Sequence, residues 1–153
     1  MRAEDKKSVM GLIRATQMFT AAEQDVAEEL IDVYLGRPDQ KDYDVVVTED
    51  ESGETAAYMT WGPTPLAEDA YDLYWMAVAP ASQGKGIGLE LVRWLEDKVQ
   101  KRNGRMIVIE TSSQTKYEPT RRFYLNRDYK EVARVPDFYR PGDDRIIYAK
   151  YFR

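Results

Sequence analysis

Cysteine and histidine are both missing from this 153-residue chain. Without cysteine there is no disulfide framework, no thiolate-held zinc and no thiol nucleophile; without histidine there is no Ser-His-Asp triad and no imidazole-held metal. Chemistry here must run on carboxylates, tyrosine, lysine, serine, threonine and backbone amides, and no metal is expected. Long apolar runs are missing too. The stretch from Val9 to Ile13 is short and interrupted by Gly11, so neither a signal peptide nor a membrane span is read. Together with the lack of cysteine, this suits a reducing, cytoplasmic setting. Positive charge is not in excess either: 22 basic against 27 acidic residues leave −5, which disfavours a general grip on nucleic acid or an anionic membrane.

What is present fits one compact domain spanning residues 1–153, with 43% hydrophobic residues and no repeat or linker. Residues from Asp5 to about Phe19 place Val9, Leu12 and Ile13 on one helical side. Thr20-Ala21-Ala22-Glu23 has capping-box spacing and starts a second helix that Gly36 and Pro38 end. Tyr43 to Thr48 and Thr55 to Trp61 read as a hairpin around an acidic turn, and Tyr71 to Val78 as a strand stopped by Pro80. Ile87, Leu91, Leu95 and Val99 follow at intervals of four, predicting a helix that ends near Asn103-Gly104. Met106 to Ile109 is a continuous apolar run, expected to be a strand buried on both faces and parallel to Tyr71–Val78. A helix over about Pro119 to Arg127 and closing strands at Glu131–Arg134 and Arg145–Tyr151 complete the pattern.

The informative stretch is Gln83-Gly84-Lys85-Gly86-Ile87-Gly88, between a strand and a helix N-terminus. Alternate glycines let a ligand approach the backbone closely, the first helical amides lack partners, and Lys85 adds positive charge; a phosphate or pyrophosphate suits such a turn. A tight connection that needs glycine only for its dihedrals is the plainer alternative. No Walker pattern is present. A dinucleotide fingerprint fits in part, through Gly84, Gly86 and Glu110 at the end of the next strand, but Leu89 stands at its third glycine.

Val78-Ala79-Pro80 leading into Gln83-x-x-Gly86-x-Gly88 resembles the acetyl-CoA signature of the GNAT family of N-acetyltransferases. Further on, Thr120, Phe123, Tyr124 and Tyr129 are similar to that family's second conserved segment, with Tyr124 on its tyrosine. Asp128-Tyr129 replaces the usual Gly-Phe, and Tyr117 stands where an asparagine is common. The element order is similar over nearly the whole chain, except that only Met1 to Glu4 are available for the family's first strand. The resemblance implies an α/β fold: a mixed, mostly antiparallel sheet with a central parallel βαβ unit and flanking helices.

It also implies acetyl-CoA as cosubstrate. Its pantetheine arm would lie along the backbone of Met76 and Val78 in an opening between two strands, and its pyrophosphate on Gln83, Gly84, Lys85, Gly86, Ile87 and Gly88. Arg121 or Arg122 is a candidate for an outer phosphate. The implied reaction is attack of a neutral amine on a thioester, which needs a base or water path, an oxyanion donor and a proton for the leaving thiolate. Tyr124 is the implied acid. Glu110 is the preferred base, on the expectation that burial at the strand end raises its pKa; a hydrogen bond to Thr111, Ser112 or Ser113 is its structural alternative. Trp61, Asp137 and Tyr139 are candidates for the acceptor pocket. The function expected is N-acetylation of a small-molecule or peptide amine. Alternatives are a non-catalytic acyl-CoA-binding sensor or interaction module and a dinucleotide-binding fragment. A homodimer is the default assembly.

Overall fold

The computed structural model describes residues 1–152. A 3-10 turn (Ala3–Asp5) leads into α1 (Lys6–Ala15), and among the described residues no strand precedes it. Helix α1 is shorter than the apolar pattern predicts. The Thr16 hydroxyl donates back to the Ile13 carbonyl at 2.7 Å, and Gln17 then takes a φ of +54°, which ends the helix. Helix α2 (Ala21–Gly36) begins where expected: Thr20 N–H donates to Glu23 Oε2 at 2.7 Å, and Glu23 N–H to Thr20 Oγ1 at 3.3 Å, forming the capping box.

Strands β1 (Asp44–Glu49) and β2 (Thr55–Pro63) pair antiparallel around a turn in which Asp50 Oδ1 accepts the Ser52 and Glu54 amides. Then come β3 (Ala70–Val78), α3 (Ile87–Lys101), β4 (Met106–Ser112), a 3-10 turn (Thr115–Tyr117), α4 (Glu118–Leu125), β5 (Lys130–Arg140) and β6 (Asp143–Tyr151). The strand order is β1-β2-β3-β4-β6-β5. β3 and β4 are parallel from Ala70↔Met106 to Leu73↔Ile109, whereas β4/β6 and β5/β6 are antiparallel. The α/β class, the mixed sheet and its parallel pair are those expected from the sequence.

Strand β4 differs from expectation, because its sides alternate. Ile107, Ile109 and Thr111 are buried, Met106 and Val108 are half-buried, and Glu110 is exposed. A continuous apolar run therefore covers one buried face and one partly open face.

Internal contacts divide the chain into two compact units: Met1–Gly62 with Tyr74–Asp97, and Pro63–Leu73 with Lys98–Arg153. In the first, Val9, Leu12 and Ile13 of α1 and Ala27 and Ile31 of α2 form a core with Val45, Tyr58 and Ala77. In the second, Ile107, Ile109, Ile146, Tyr148, Tyr124 and Tyr129 are buried. The end of α3 carries a full Schellman motif, with Gly104 N–H on the Val99 carbonyl at 2.8 Å and Asn103 N–H on Gln100 at 2.9 Å. Asn103 takes the left-handed position (φ +60°), and Gly104 is needed for space, since a Cβ there would meet Val99 Cγ1 at 2.3 Å.

Candidate active site

In the first unit, Pro80 ends β3 by starting a single 3-10 turn, Pro80–Ser82. The chain then turns through Gly84 (φ +75°) and Gly86 (φ +87°), a region that side-chain-bearing residues rarely enter. The first bond of α3 is Glu90 N–H to the Gly86 carbonyl at 3.0 Å, so among the described residues the amides of Gly84 through Leu89 have no backbone acceptor. Beyond the adjoining residues, no heavy atom lies within 4 Å of where a Cβ would stand at Gly84 or Gly86, and residues 83–86 are exposed. Amides without backbone acceptors at the positive end of a helix dipole are the chemistry that suits an anion such as a pyrophosphate. The Gln83 side chain donates to the Val78 carbonyl at 3.2 Å, fixing the turn to the end of β3, where Met76 and Val78 are half-buried. Lys85 contributes charge nearby. Asp50 is held below the ordinary carboxylate range mainly by the Ser52 hydroxyl and the Glu54 and Ser52 amides, with Lys85 adding to the effect.

In the second unit, α4 presents Tyr124. Its residue is 4% exposed, its ring lies edge-on to Phe123 and Tyr129 at 5.2 and 5.6 Å, and its hydroxyl makes no hydrogen bond among the described residues. Burial pushes the phenol well above its ordinary value, while Arg127 acts weakly the other way. Arg127 stacks 3.6 Å from the Phe123 ring centroid and donates to the Phe123 carbonyl at 2.5 Å. Asp128 takes a φ of +64°, which explains why a glycine suits that position, and Tyr129 after it is buried.

Glu110 is not buried as expected. Its side chain is 41% exposed, because it lies on the partly open side of β4, and it pairs with Arg145 of β6 rather than with Thr111, Ser112 or Ser113. Arg145 also lies 4.9 Å from the Phe138 ring centroid, and its pKa is raised, first by the hydrogen bond to Glu110. Nothing in the sequence near Glu110 signals this partner, which lies 35 residues away.

Trp61, a candidate for the acceptor pocket, is 1% exposed and packs edge-on to Trp94 at 5.9 Å. Strand β2 runs on to Pro63, which leaves Trp61 inside the strand instead of at its end. Tyr139 is 49% exposed and packs on Phe138. Asp137 accepts the Gly142 amide at 2.6 Å, and its own amide donates to Asp144, so it shapes the β5–β6 turn. Arg121, a phosphate candidate, is spent on the carbonyls of Ser112 and Gln114 at 2.8 and 2.9 Å; Arg122 pairs with Glu118. Among the described residues no group of three or more acidic residues could hold a metal, and no helix is long and apolar enough to cross a membrane.

The fold is a mixed α/β sheet whose parallel strands β3 and β4 are joined through a glycine turn and α3. Residues 41–131 match the acetyltransferase (GNAT) domain, and the chain belongs to that family. A protein from Desulfovibrio desulfuricans assigned to the GNAT family of acetyltransferases is 41% identical, covering 97% of this chain and 93% of its own, with a TM-score of 0.91. The fold is shared with an aminoglycoside 6'-N-acetyltransferase complexed with coenzyme A (20% identity, 98% and 92% covered, TM-score 0.75). It is shared too with the ribosomal-protein-S18-alanine N-acetyltransferase of Escherichia coli (19%, 99% and 90%, TM-score 0.76). No curated protein matches the chain in sequence.

Proposed function

We propose that this chain is an acetyl-CoA-dependent N-acetyltransferase acting on a primary amine of a small molecule or peptide. The observation that carries the reading is the turn before α3, whose amides from Gly84 to Leu89 have no backbone acceptor and whose residues 83–86 are exposed, in a chain of the GNAT family. The amides of Gly84 to Gly88 would hold the pyrophosphate, Lys85 would add charge, and the backbone of Met76 and Val78 would receive the pantetheine arm. Acetyl-CoA supplies the acetyl group as a thioester.

The residues of the chain would do the rest. The Tyr124 phenol keeps its proton at every working pH because burial raises its pKa. It therefore serves as a hydrogen-bond donor to the departing thiolate, which takes its proton from solvent. A phenol so raised is a weak acid toward a thiol with an ordinary pKa near 8.5, so donation contributes more than full transfer. One oxygen of Glu110 is engaged by Arg145 and the other is left to take the amine proton, directly or through water. A free Tyr124 hydroxyl favours turnover over a sensor, which would need the turn and no donor.

A thiol-release assay with acetyl-CoA and a panel of amines, amino acids, aminoglycosides and peptides tests the proposal. At least one amine should accelerate release and be recovered N-acetylated. With no cysteine or histidine to carry an acyl group, initial-rate lines should intersect. Binding without acceleration by any amine would leave a sensor, and parallel lines with an isolated acetylated enzyme would overturn direct transfer.

A further inference from the structure

One buried charge in the second unit has no part in the chemistry above. Asp143, the first residue of β6, has a side chain 3% exposed. Its Oδ1 accepts the Ser112 hydroxyl at 2.5 Å, its Oδ2 accepts from the Gln114 side-chain Nε2 at 2.6 Å, and Arg140 Nε stands 3.6 Å away. A carboxylate offers only acceptors, so it fixes the orientation of both donors. Ser112 and Gln114 form the exit of β4, and α4 grips that exit in turn. Arg121 Nη1 donates to the carbonyls of both residues, and the Tyr117 amide donates to Gln114 at 3.0 Å. A parallel tie runs alongside, from the Ser113 amide to the Asp144 carbonyl at 2.9 Å and from the Asp144 amide to Ser113 Oγ at 2.8 Å. Arg121 precedes Tyr124 by three residues, within one helical turn.

We infer that Asp143 is a positioning residue: its buried carboxylate locks the β4 exit, and through Arg121 the locked exit sets the rotation and height of α4 and hence the place of the Tyr124 hydroxyl. The inference rests on the reading of Tyr124 as the donor. Removing the carboxylate leaves the half-buried Ser112 and Gln114 donors without their acceptor, next to the carbonyls that hold Arg121, so the loss should reach α4 before anything else. Small displacements of a catalytic group lower rate far more than they lower binding.

Two measurements on Asp143→Ala test it. Amide exchange in residues 118–125 should quicken by on the order of tenfold, while that of α2 stays unchanged. Turnover is then compared in wild type, Asp143→Ala, Tyr124→Phe and the double variant, with acetyl-CoA and the panel amine of highest kcat/KM. Asp143→Ala should lower kcat about tenfold alone and less than about twofold in the Tyr124→Phe background, with acetyl-CoA affinity kept. Equal losses in both backgrounds, or unchanged exchange in α4, would overturn the inference. If Asp143→Ala does not fold, Arg121→Ala cuts the same chain at its other end and is held to the same outcomes. A Tyr124→Phe variant with undiminished kcat would refute the donor reading itself, and with it any catalytic consequence of Asp143; α4 exchange then decides alone whether Asp143 holds the helix.

Discussion

The turn before α3 and the exit of β4 do comparable tasks with opposite materials. At the turn the working groups are backbone amides, freed by positive φ at Gly84 and Gly86 and left exposed. At the β4 exit the working groups are side chains, and Ser112, Gln114, Arg121 and Asp143 hold one another across as many as 31 residues. A backbone site needs only the right residues in a row, and tolerates change in everything but its glycines. A side-chain site needs a tertiary network, and each member depends on the others.

The comparison predicts that side-chain changes in the second unit act on rate. The largest effect is expected for Tyr124→Phe, which removes one hydroxyl and should lower kcat by on the order of 10²-fold. Because burial raises the phenol's pKa, no basic limb below pH 10 in the wild-type rate profile should disappear in that variant. Should such a limb vanish, Tyr124 would be titrating in the complex and the buried assignment would fail.

Glu110→Gln sharpens the comparison next, by asking whether the second unit supplies one proton-handling group or two. If Glu110 is the base, the acidic limb of the rate profile flattens in the variant; an unchanged limb makes its ion pair with Arg145 purely structural.

Thr20→Ala touches no hydrogen bond of either region and serves as a calibration of ordinary stability. Loss of the capping box should cost about 1 kcal/mol in urea unfolding, with kcat unaltered. Asp144→Asn should show the smallest effect, and one confined by pH. The Asp137 amide and the Arg134 guanidinium hold the Asp144 carboxyl below its ordinary 3.8 in the folded chain. Its contribution is therefore full above that value and lost as the pH falls through the lowered one. The gap in urea midpoint between wild type and variant should be present at pH 7 and close at strongly acid pH; a gap that persists there would assign it to packing.

The same contrast explains what could be read from the sequence. Local signals were legible: the Thr20–Glu23 cap, the four-residue spacing of α3, the parallel β3–β4 pair and the glycine turn all depend on residues near in sequence. Tertiary facts were not. Glu110 looked like the end of a buried strand because periodicity does not show which side of β4 is covered, and its partner Arg145 comes from another strand. Trp61 looks terminal in the sequence because Gly62 and Pro63 after it are strand breakers, yet β2 continues through both. Asp143 carries no motif at all; only the folded chain brings it to Ser112 and Gln114.

Calorimetric titration of acetyl-CoA into wild type, Gly86→Glu, Gly86→Ala and Tyr124→Phe tests the division most directly. Glutamate at Gly86 puts bulk and like charge over the proposed pyrophosphate site, whereas alanine imposes only the strain of a positive φ. The account predicts that Gly86→Glu stays folded and loses acetyl-CoA affinity by on the order of 10²-fold or more, that Gly86→Ala loses much less, and that Tyr124→Phe binds like wild type. Undiminished affinity in a folded Gly86→Glu variant would contradict it.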